Sequence, residues 1–287
     1  MVPLSMRRSL VSRRITVRLA IDAARMKPDF LVVGAQRTGT SSLYKYLGQH
    51  PHIAPSLRKE VSYFTRYYGR GPDWYSAHFP LAMRQKLVRR WCGHGLSTFG
   101  ATPDYLLRPL AAERARRHVP DARIIVLLRD PVARAYSHYQ HMVRLGFESL
   151  SFEEAVSCEP ERLAEDLERI VTDPGHDPKF LVRFSYVTRG LYAEQLRTWM
   201  RHFPPERFLI LDSEGFYARP DDAYQKVLRF LDLPAWRPPH YVNFSIRGRA
   251  RGPSEPMTPA TRTLLAQRFA EPNHALGELL GRDFAWA

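Results

Sequence analysis

The sequence predicts an α/β fold, three layers of α/β/α around a central parallel sheet of about four to five strands. Three observations carry this. Short continuous apolar runs stand at Phe30-Leu31-Val32-Val33, Arg123-Ile124-Ile125-Val126-Leu127-Leu128 and Arg207-Phe208-Leu209-Ile210-Leu211, the pattern of strands buried on both faces. Segments with helical periodicity separate them, as in βαβ units. The 287 residues are 44% hydrophobic and 12% aromatic, enough apolar matter for a sizeable core, which excludes wholesale disorder.

Residues 1–27 read as a basic N-terminal extension, with Arg7, Arg8, Arg13, Arg14, Arg18 and Arg25 against a single acid, Asp22. Charges interrupt its apolar residues, so the continuous apolar stretch of a secretory signal is missing. Such a segment suits a basic amphipathic helix on a membrane surface, a transit-like leader, or an extension packed on the domain. Residues 28–287 read as one domain without repeats or low-complexity tracts. After the first strand comes the glycine loop Gly34-Ala35-Gln36-Arg37-Thr38-Gly39-Thr40, then a helix over Ser41–Leu47 with Leu43, Tyr44 and Leu47 on one face. Helices are expected at Leu81–Arg90 and Pro109–His118. The second strand stops at Arg129-Asp130-Pro131, and Pro131 opens a helix running to Arg144. Further helices are expected at Phe152–Ile170, Thr188–His202, Ala223–Leu231 and Pro259–Leu280, and the third strand ends at Asp212. The stretch from Trp236 to Pro259 is rich in Pro, Gly and Arg, and a loop this long in a compact domain is more often functional than linker.

Charge narrows the function. Lys and Arg number 43 against 29 Asp and Glu, a net +14 with a pI near 10.1. Lysine occurs only at Lys27, Lys45, Lys59, Lys86, Lys179 and Lys226, so most of the positive charge is guanidinium. Guanidinium grips phosphate, sulfate and carboxylate in bidentate fashion. The partner is therefore anionic: nucleic acid, a phosphorylated cofactor, an acidic glycan or a membrane surface. Two cysteines, Cys92 and Cys158, exclude a disulfide scaffold and a Cys-rich zinc site; they read as reduced thiols of an intracellular protein. No apolar run approaches the ~18–20 residues of a spanning helix, and a soluble cytoplasmic protein is expected.

The loop Gly34 to Ser41 matches G-x-x-x-x-G-K-[ST] except that Thr40 stands at the Lys position. Backbone N–H groups after a strand and at a helix N-terminus cradle an anion. Arg37 adds a full charge; Thr38, Thr40, Ser41 and Ser42 add hydroxyls. The fold is thus P-loop-like, without the nucleotide-hydrolase lysine. A second element lies at Arg129-Asp130-Pro131-Val132-Ala133-Arg134-Ala135-Tyr136-Ser137. Arg129 sits at the carboxyl end of a strand, where open α/β sheets bind ligands. Ser137 lies about two helical turns further on.

These two elements resemble the 5′-phosphosulfate loop and the 3′-phosphate Arg/Ser pair of sulfotransferases that use 3′-phosphoadenosine 5′-phosphosulfate (PAPS). The resemblance runs from about Phe30 to Trp286 and is nearest to the heparan sulfate sulfotransferase branch and its bacterial relatives. It continues through Leu47-Gly48-Gln49-His50-Pro51-His52-Ile53, Lys59-Glu60-Val61-Ser62-Tyr63-Phe64, Asp73-Trp74-Tyr75, Ala101-Thr102-Pro103-Asp104-Tyr105, Arg189-Gly190-Leu191-Tyr192 with Trp199, Arg247-Gly248-Arg249-Ala250-Arg251, and Phe284-Ala285-Trp286.

The resemblance implies transfer of a sulfuryl group from PAPS to a hydroxyl or amine acceptor, leaving adenosine 3′,5′-bisphosphate. It implies cofactor contacts at Arg37, Thr38, Gly39, Thr40, Ser41, Arg129, Ser137 and the segment Arg247, Gly248, Arg249, Ala250 and Arg251. Arg37 stands where the family usually has Lys; it stabilises the leaving phosphate by charge and does not readily give up a proton. Glu60 matches the general base. Lys59, Trp74, Tyr75 and Tyr105 fall on the acceptor side, with a carbohydrate or glycoconjugate as expected acceptor. Gly100 and Ala101 stand where heparan-type enzymes often carry a Lys that grips an acidic sugar. No metal is expected: His138 and His141 share a helix without a carboxylate partner, and read as helix-surface or cofactor-adjacent residues. Two other classes remain as alternatives. A P-loop kinase or hydrolase would use Asp212 as its magnesium acid, but lacks the lysine at Thr40. A nucleic-acid binder would exploit the net charge, but the arginines are dispersed and no recognition motif is present, so no specific nucleic acid is expected.

Overall fold

The computed structural model describes residues 4–21, 23–92, 95–173, 175–244, 256–284 and 286. The Arg247-Gly248-Arg249-Ala250-Arg251 segment and Ala285 lie outside the described residues. The strands are β1 (Phe30–Gly34), β2 (Ile53–Pro55), β3 (Ser97–Ala101), β4 (Arg123–Leu128) and β5 (Phe208–Asp212). They form one five-stranded sheet in the order β2-β3-β1-β4-β5, every neighbouring pair parallel. The helices are α1 (Leu4–Ala20), α2 (Thr40–Leu47), α3 (Gly71–Ser76), α4 (Ala82–Cys92), α5 (Pro109–His118), α6 (Pro131–Arg144), α7 (Phe152–Ser157), α8 (Glu159–Thr172), α9 (Lys179–Phe184), α10 (Tyr192–Met200), α11 (Ser213–Ala218), α12 (Pro220–Phe230) and α13 (Pro259–Leu280).

Strand alternation assigns each face its helices. Leu31, Val33, Ile124, Val126 and Leu128 pack with Ala111, Ala112 and Ala115 of α5, Leu196 and Trp199 of α10, and Leu276 of α13. Phe30, Val32, Ile125, Leu127 and Leu209 pack on the other face with Leu43, Tyr46 and Leu47 of α2 and Tyr224, Val227 and Leu228 of α12. Each such aliphatic side chain contributes about 1.5–3 kcal/mol by leaving water, so the three layers follow from which side of the pleat a residue occupies.

Four differences from the sequence reading have physical causes. The helix expected over Phe152–Ile170 breaks at Cys158, because Pro160 in the first turn of α8 has no N–H to continue the ladder. The helix expected from Thr188 begins as a short 3-10 turn, Thr188–Gly190, before α10 starts at Tyr192. The edge strand β2 and its inner neighbour β3 have no long apolar run to announce them. Three six-residue helices, α3, α9 and α11, are too short for periodicity to show. The basic extension is helical as α1 and fastened to the domain: Arg18 donates to the carbonyls of Ala77 (3.0 Å) and Phe79 (3.1 Å), and Ile15 is buried. No helix among the described residues is long and apolar enough to cross a membrane. Cys158 is a free thiol.

Candidate functional site

The chain leaves β1 toward β3 and β2 on one side, then places β4 and β5 on the other. The carboxyl ends of β1 and β4 therefore flank the switch point where open parallel sheets bind ligands. The glycine loop springs from β1 here, pinned by Ala35 N–H donating to Leu127 O at 2.8 Å. Gly34 admits no side chain: an added Cβ would lie 2.6 Å from Leu106 Cβ and Cδ2. Gly39, at the N-terminus of α2, has φ +106°, a left-handed conformation that favours glycine. Arg37 has φ +72° without being glycine, a strain that recurs at ligand-binding loops.

Three predicted binding residues come together. Arg37 Nε donates to Ser137 Oγ at 3.2 Å. Arg129 Nη1 donates to the carbonyl of Arg37 at 3.4 Å. The Arg129 backbone is held by Tyr192, whose hydroxyl donates to its carbonyl at 2.9 Å. Asp130 caps α6 by accepting from Val132 N (3.0 Å) and Ala133 N (3.2 Å), which sets the helix that presents Ser137. Burial lowers the Arg37 pKa first, and the positive field of Arg144 and Arg129 lowers it further. Guanidinium charge crowded this way creates a local positive field at the start of α2.

The hydroxyls divide. Thr38 is fully buried; its Oγ1 donates to Ala35 O (2.8 Å) and its carbonyl accepts from Ser213 Oγ (2.9 Å). Thr38 therefore shapes the loop through its side chain. Thr40 is buried, Ser41 half-buried. Ser42 Oγ accepts from Phe244 N at 3.1 Å, and Tyr46 donates to Val242 O at 2.9 Å. The segment after Trp236 is thereby led to the start of α2, up to its last described residue before position 245.

On the other side, a pocket of about 280 Å³ is lined by Gln36 of the loop, Glu60, Thr102, Asp104, Arg108 and Lys179, among others. Glu60 has a 55% exposed side chain and a left-handed backbone; Lys59 Nζ lies 2.5 Å from its Oε1. The acid predicted as base thus sits at the pocket rim beside a cation. Arg108 is 8% exposed, and its guanidinium makes no hydrogen bond or ion pair among the described residues. Tyr75 and Tyr105 are core residues: Tyr75 stacks on Tyr63 at 4.5 Å, and the Tyr105 hydroxyl, its pKa pushed up to about 12 by burial, accepts from Phe64 N at 3.4 Å. Trp74 is partly buried against the same core, edge-on to His78 at 4.5 Å. None of these three aromatics, nor Lys59, lines this pocket.

Sequence reasoning did not single out Arg144 or Glu214, and it read His138 and His141 only as helix-surface or cofactor-adjacent residues. His141 and Arg144 follow Ser137 at i+4 and i+7 on α6, the spacing that puts them on its face. The Arg144 guanidinium contacts His141 Nδ1. Burial, then Arg37 and Arg144, press the His141 pKa down to about 4, against an upward pull from Glu60. His141 is therefore neutral near pH 7 and stands between the two halves of the site. His138, one residue past Ser137, is fully buried instead. Glu214 follows β5 and lies 3.8 Å from Arg129 Nε. Asp212 spends its carboxylate capping α11, accepting from Gly215 N at 2.6 Å; that arrangement does not present it as a magnesium ligand. No cluster of His, Cys, Asp and Glu suited to a metal occurs among the described residues.

Comparison with known proteins agrees with this geometry. A family model described as the sulfotransferase domain matches residues 27–239. The chain is 28% identical over 328 residues to the membrane-associated sulfotransferase kil1 of Dictyostelium discoideum, covering 90% of this chain and 66% of that protein. It is 31% identical over 283 residues to the bifunctional heparan sulfate N-deacetylase/N-sulfotransferase 3 of Homo sapiens, covering 88% of this chain and 30% of that protein. It thus spans just under two thirds of the first relative and under a third of the second. Among solved structures, a sulfotransferase from Alicyclobacillus acidocaldarius matches with a TM-score of 0.66 and 30% identity, covering 91% of this chain and 99% of that one. The five-strand parallel α/β architecture, within the four to five strands expected, the loop at the switch point and the match over residues 27–239 lead to one statement: the chain belongs to the sulfotransferase domain family.

Proposed function

We propose that this chain transfers a sulfuryl group from PAPS to a hydroxyl or amine of a saccharide or glycoconjugate. The observation that carries the reading is the chain of contacts from Arg129 to the Arg37 carbonyl and from Arg37 Nε to Ser137 at the ends of β1 and β4. These residues fit the donor. The loop N–H groups, Arg37, Gly39, Thr40 and Ser41 suit the 5′-phosphosulfate, and Arg129 with Ser137 suits the 3′-phosphate. PAPS supplies a phosphosulfate anhydride whose leaving group is a phosphate. Arg37 stabilises the charge that develops on that phosphate, from a position fixed by Ser137. Glu60 takes the proton of the attacking acceptor, with Lys59 holding its carboxylate at the pocket rim. Arg247, Gly248, Arg249, Ala250 and Arg251 belong to the cofactor side in this reading.

The acceptor occupies the pocket between Gln36, Glu60 and α9. Arg108, Lys179 and Arg183 on its wall suit an acceptor bearing an anionic group. They stand in for the cation absent at Gly100 and Ala101. The reading includes a cytoplasmic enzyme whose 1–27 extension, free of acids over α1, contacts anionic membrane surfaces.

The test has two arms. Thermal unfolding is followed with adenosine 3′,5′-bisphosphate and with ATP–Mg²⁺; the first is expected to stabilise and the second not. A transfer screen with radiolabelled PAPS over carbohydrate, lipid and phenolic acceptors is expected to label carbohydrates. Protection by ATP–Mg²⁺ alone would replace this reading with a nucleotide kinase or hydrolase.

A further inference from the structure

Glu214 is an acid inside a site built for an anion. It starts α11 immediately after β5, and its Oε1 lies 3.8 Å from Arg129 Nε, the guanidinium that also holds the carbonyl of Arg37. We propose that Glu214 is a positioning residue that regulates 3′-phosphate capture: ionised, it is the resident counter-anion of Arg129; protonated, it releases Arg129 to the phosphate. This rests on the reading of Arg129 as the 3′-phosphate ligand.

The surroundings explain why the two states lie close in energy. Two charged groups bear on Glu214 directly and a third acts on its neighbour. Arg129, from the end of β4, favours the carboxylate. Asp212, from the end of β5, hydrogen-bonds the Glu214 side chain and opposes a second charge. Arg282, beyond α13, donates to Ile210 O at 3.3 Å and bears on Asp212 rather than on Glu214. Asp212 is itself fastened to Gly215 N–H, so it stays in place as the negative neighbour. Burial and Asp212 together raise the Glu214 pKa to about 7.

A phosphate dianion arriving at Arg129 brings a second like charge to Glu214, which favours its protonation still more. Binding above neutrality therefore takes up a proton, and affinity falls as pH rises. The 3′-phosphate has its own second pKa near 6 and is about nine-tenths dianionic by pH 7, so the trend is read between pH 7 and 8.5. Adenosine 5′-phosphate, which has no 3′-phosphate, serves as the control ligand.

The experiment is isothermal titration calorimetry of the full chain with adenosine 3′,5′-bisphosphate between pH 6.5 and 8.5, in buffers of different ionisation enthalpy. The expected result is a Kd that rises on the order of tenfold between pH 7 and 8.5, with close to one proton taken up at pH 8. Adenosine 5′-phosphate should show neither effect. Glu214→Gln should bind the bisphosphate about tenfold more tightly than wild type at pH 8.5, with a flat profile. The wild-type proton count stands alone if the variant does not fold. A wild-type Kd that is flat with pH and accompanied by no proton uptake overturns the role of Glu214 and leaves the cofactor reading intact. Absence of bisphosphate binding at every pH overturns both.

Discussion

Replacing Arg129 with Gln tests the cofactor reading most directly. The Arg129 guanidinium is 33% exposed, donates to the Arg37 carbonyl and has Glu214 as its nearby acid. A cation about 4 Å from a phosphate charge is worth ~4 kcal/mol at the effective dielectric of a protein surface. One-third exposure reduces this, and charge-assisted hydrogen bonds measured by substitution give about 1.5–3 kcal/mol. A loss of about 2–3 kcal/mol is expected, which is roughly 30- to 150-fold in Kd for adenosine 3′,5′-bisphosphate. The backbone should survive, since Tyr192 holds the Arg129 carbonyl independently of the side chain. The measurement is paired calorimetry with adenosine 3′,5′-bisphosphate and adenosine 5′-phosphate, with the thermal midpoint as a fold control. The loss should fall on the bisphosphate alone. Equal weakening of both ligands, or none of either, refutes the assignment of the 3′-phosphate to Arg129.

Other expectations follow from single contacts. Glu60→Gln should lower turnover by about 10²–10⁴ while bisphosphate affinity holds; near-full turnover in a folded variant removes Glu60 as base. Arg108→Ala should raise the acceptor KM with kcat nearly unchanged, because its guanidinium lines the pocket and not the phosphate loop; a fall in kcat at constant KM would place it in the transfer step instead. Gly34→Ala drives a Cβ to 2.6 Å from Leu106 and should cost about 1–3 kcal/mol, seen as a lower unfolding midpoint. His78 is buried, its Nδ1–H donates to Trp74 O at 2.9 Å, and burial lowers its pKa to about 4. The unfolded chain, with a His pKa of ~6.5, binds that proton more readily, so stability is complete above about pH 6.5 and declines toward pH 4. Denaturant titrations at pH 7 and pH 5 should show that decline, and His78→Gln should make it shallower without abolishing it, since His138 and His141 are depressed in the same direction.

The parts of the fold most legible in the sequence carry a continuous local pattern. β1 and β4 after Arg123 are apolar because helices cover both faces, and α5, α6 and α13 are bounded by prolines at their first turns. β3 was illegible for the opposite reason. Ser97-Thr98-Phe99-Gly100-Ala101 is buried by local solutions that leave no apolar run: Thr98 Oγ1 satisfies itself on Ala54 O at 2.5 Å, Phe99 stacks on Phe30 at 4.8 Å, and Gly100 leaves room for Leu31. The same contrast governs the site. Gly34–Ser41 and Arg129–Ser137 are contiguous motifs, so their chemistry could be read in order. Glu214, Arg108 and Lys179 reach it from separate short elements whose residues carry no local signature. What connects them is the sheet order. Because β5 lies beside β4 and not beside β1, the acid that follows β5 meets Arg129 and not Arg37. In the proposed reading that carboxylate stands at the 3′-phosphate end of the site and not at the phosphosulfate end. The asymmetry follows from the order of the strands, with no counterpart in any single stretch of the chain.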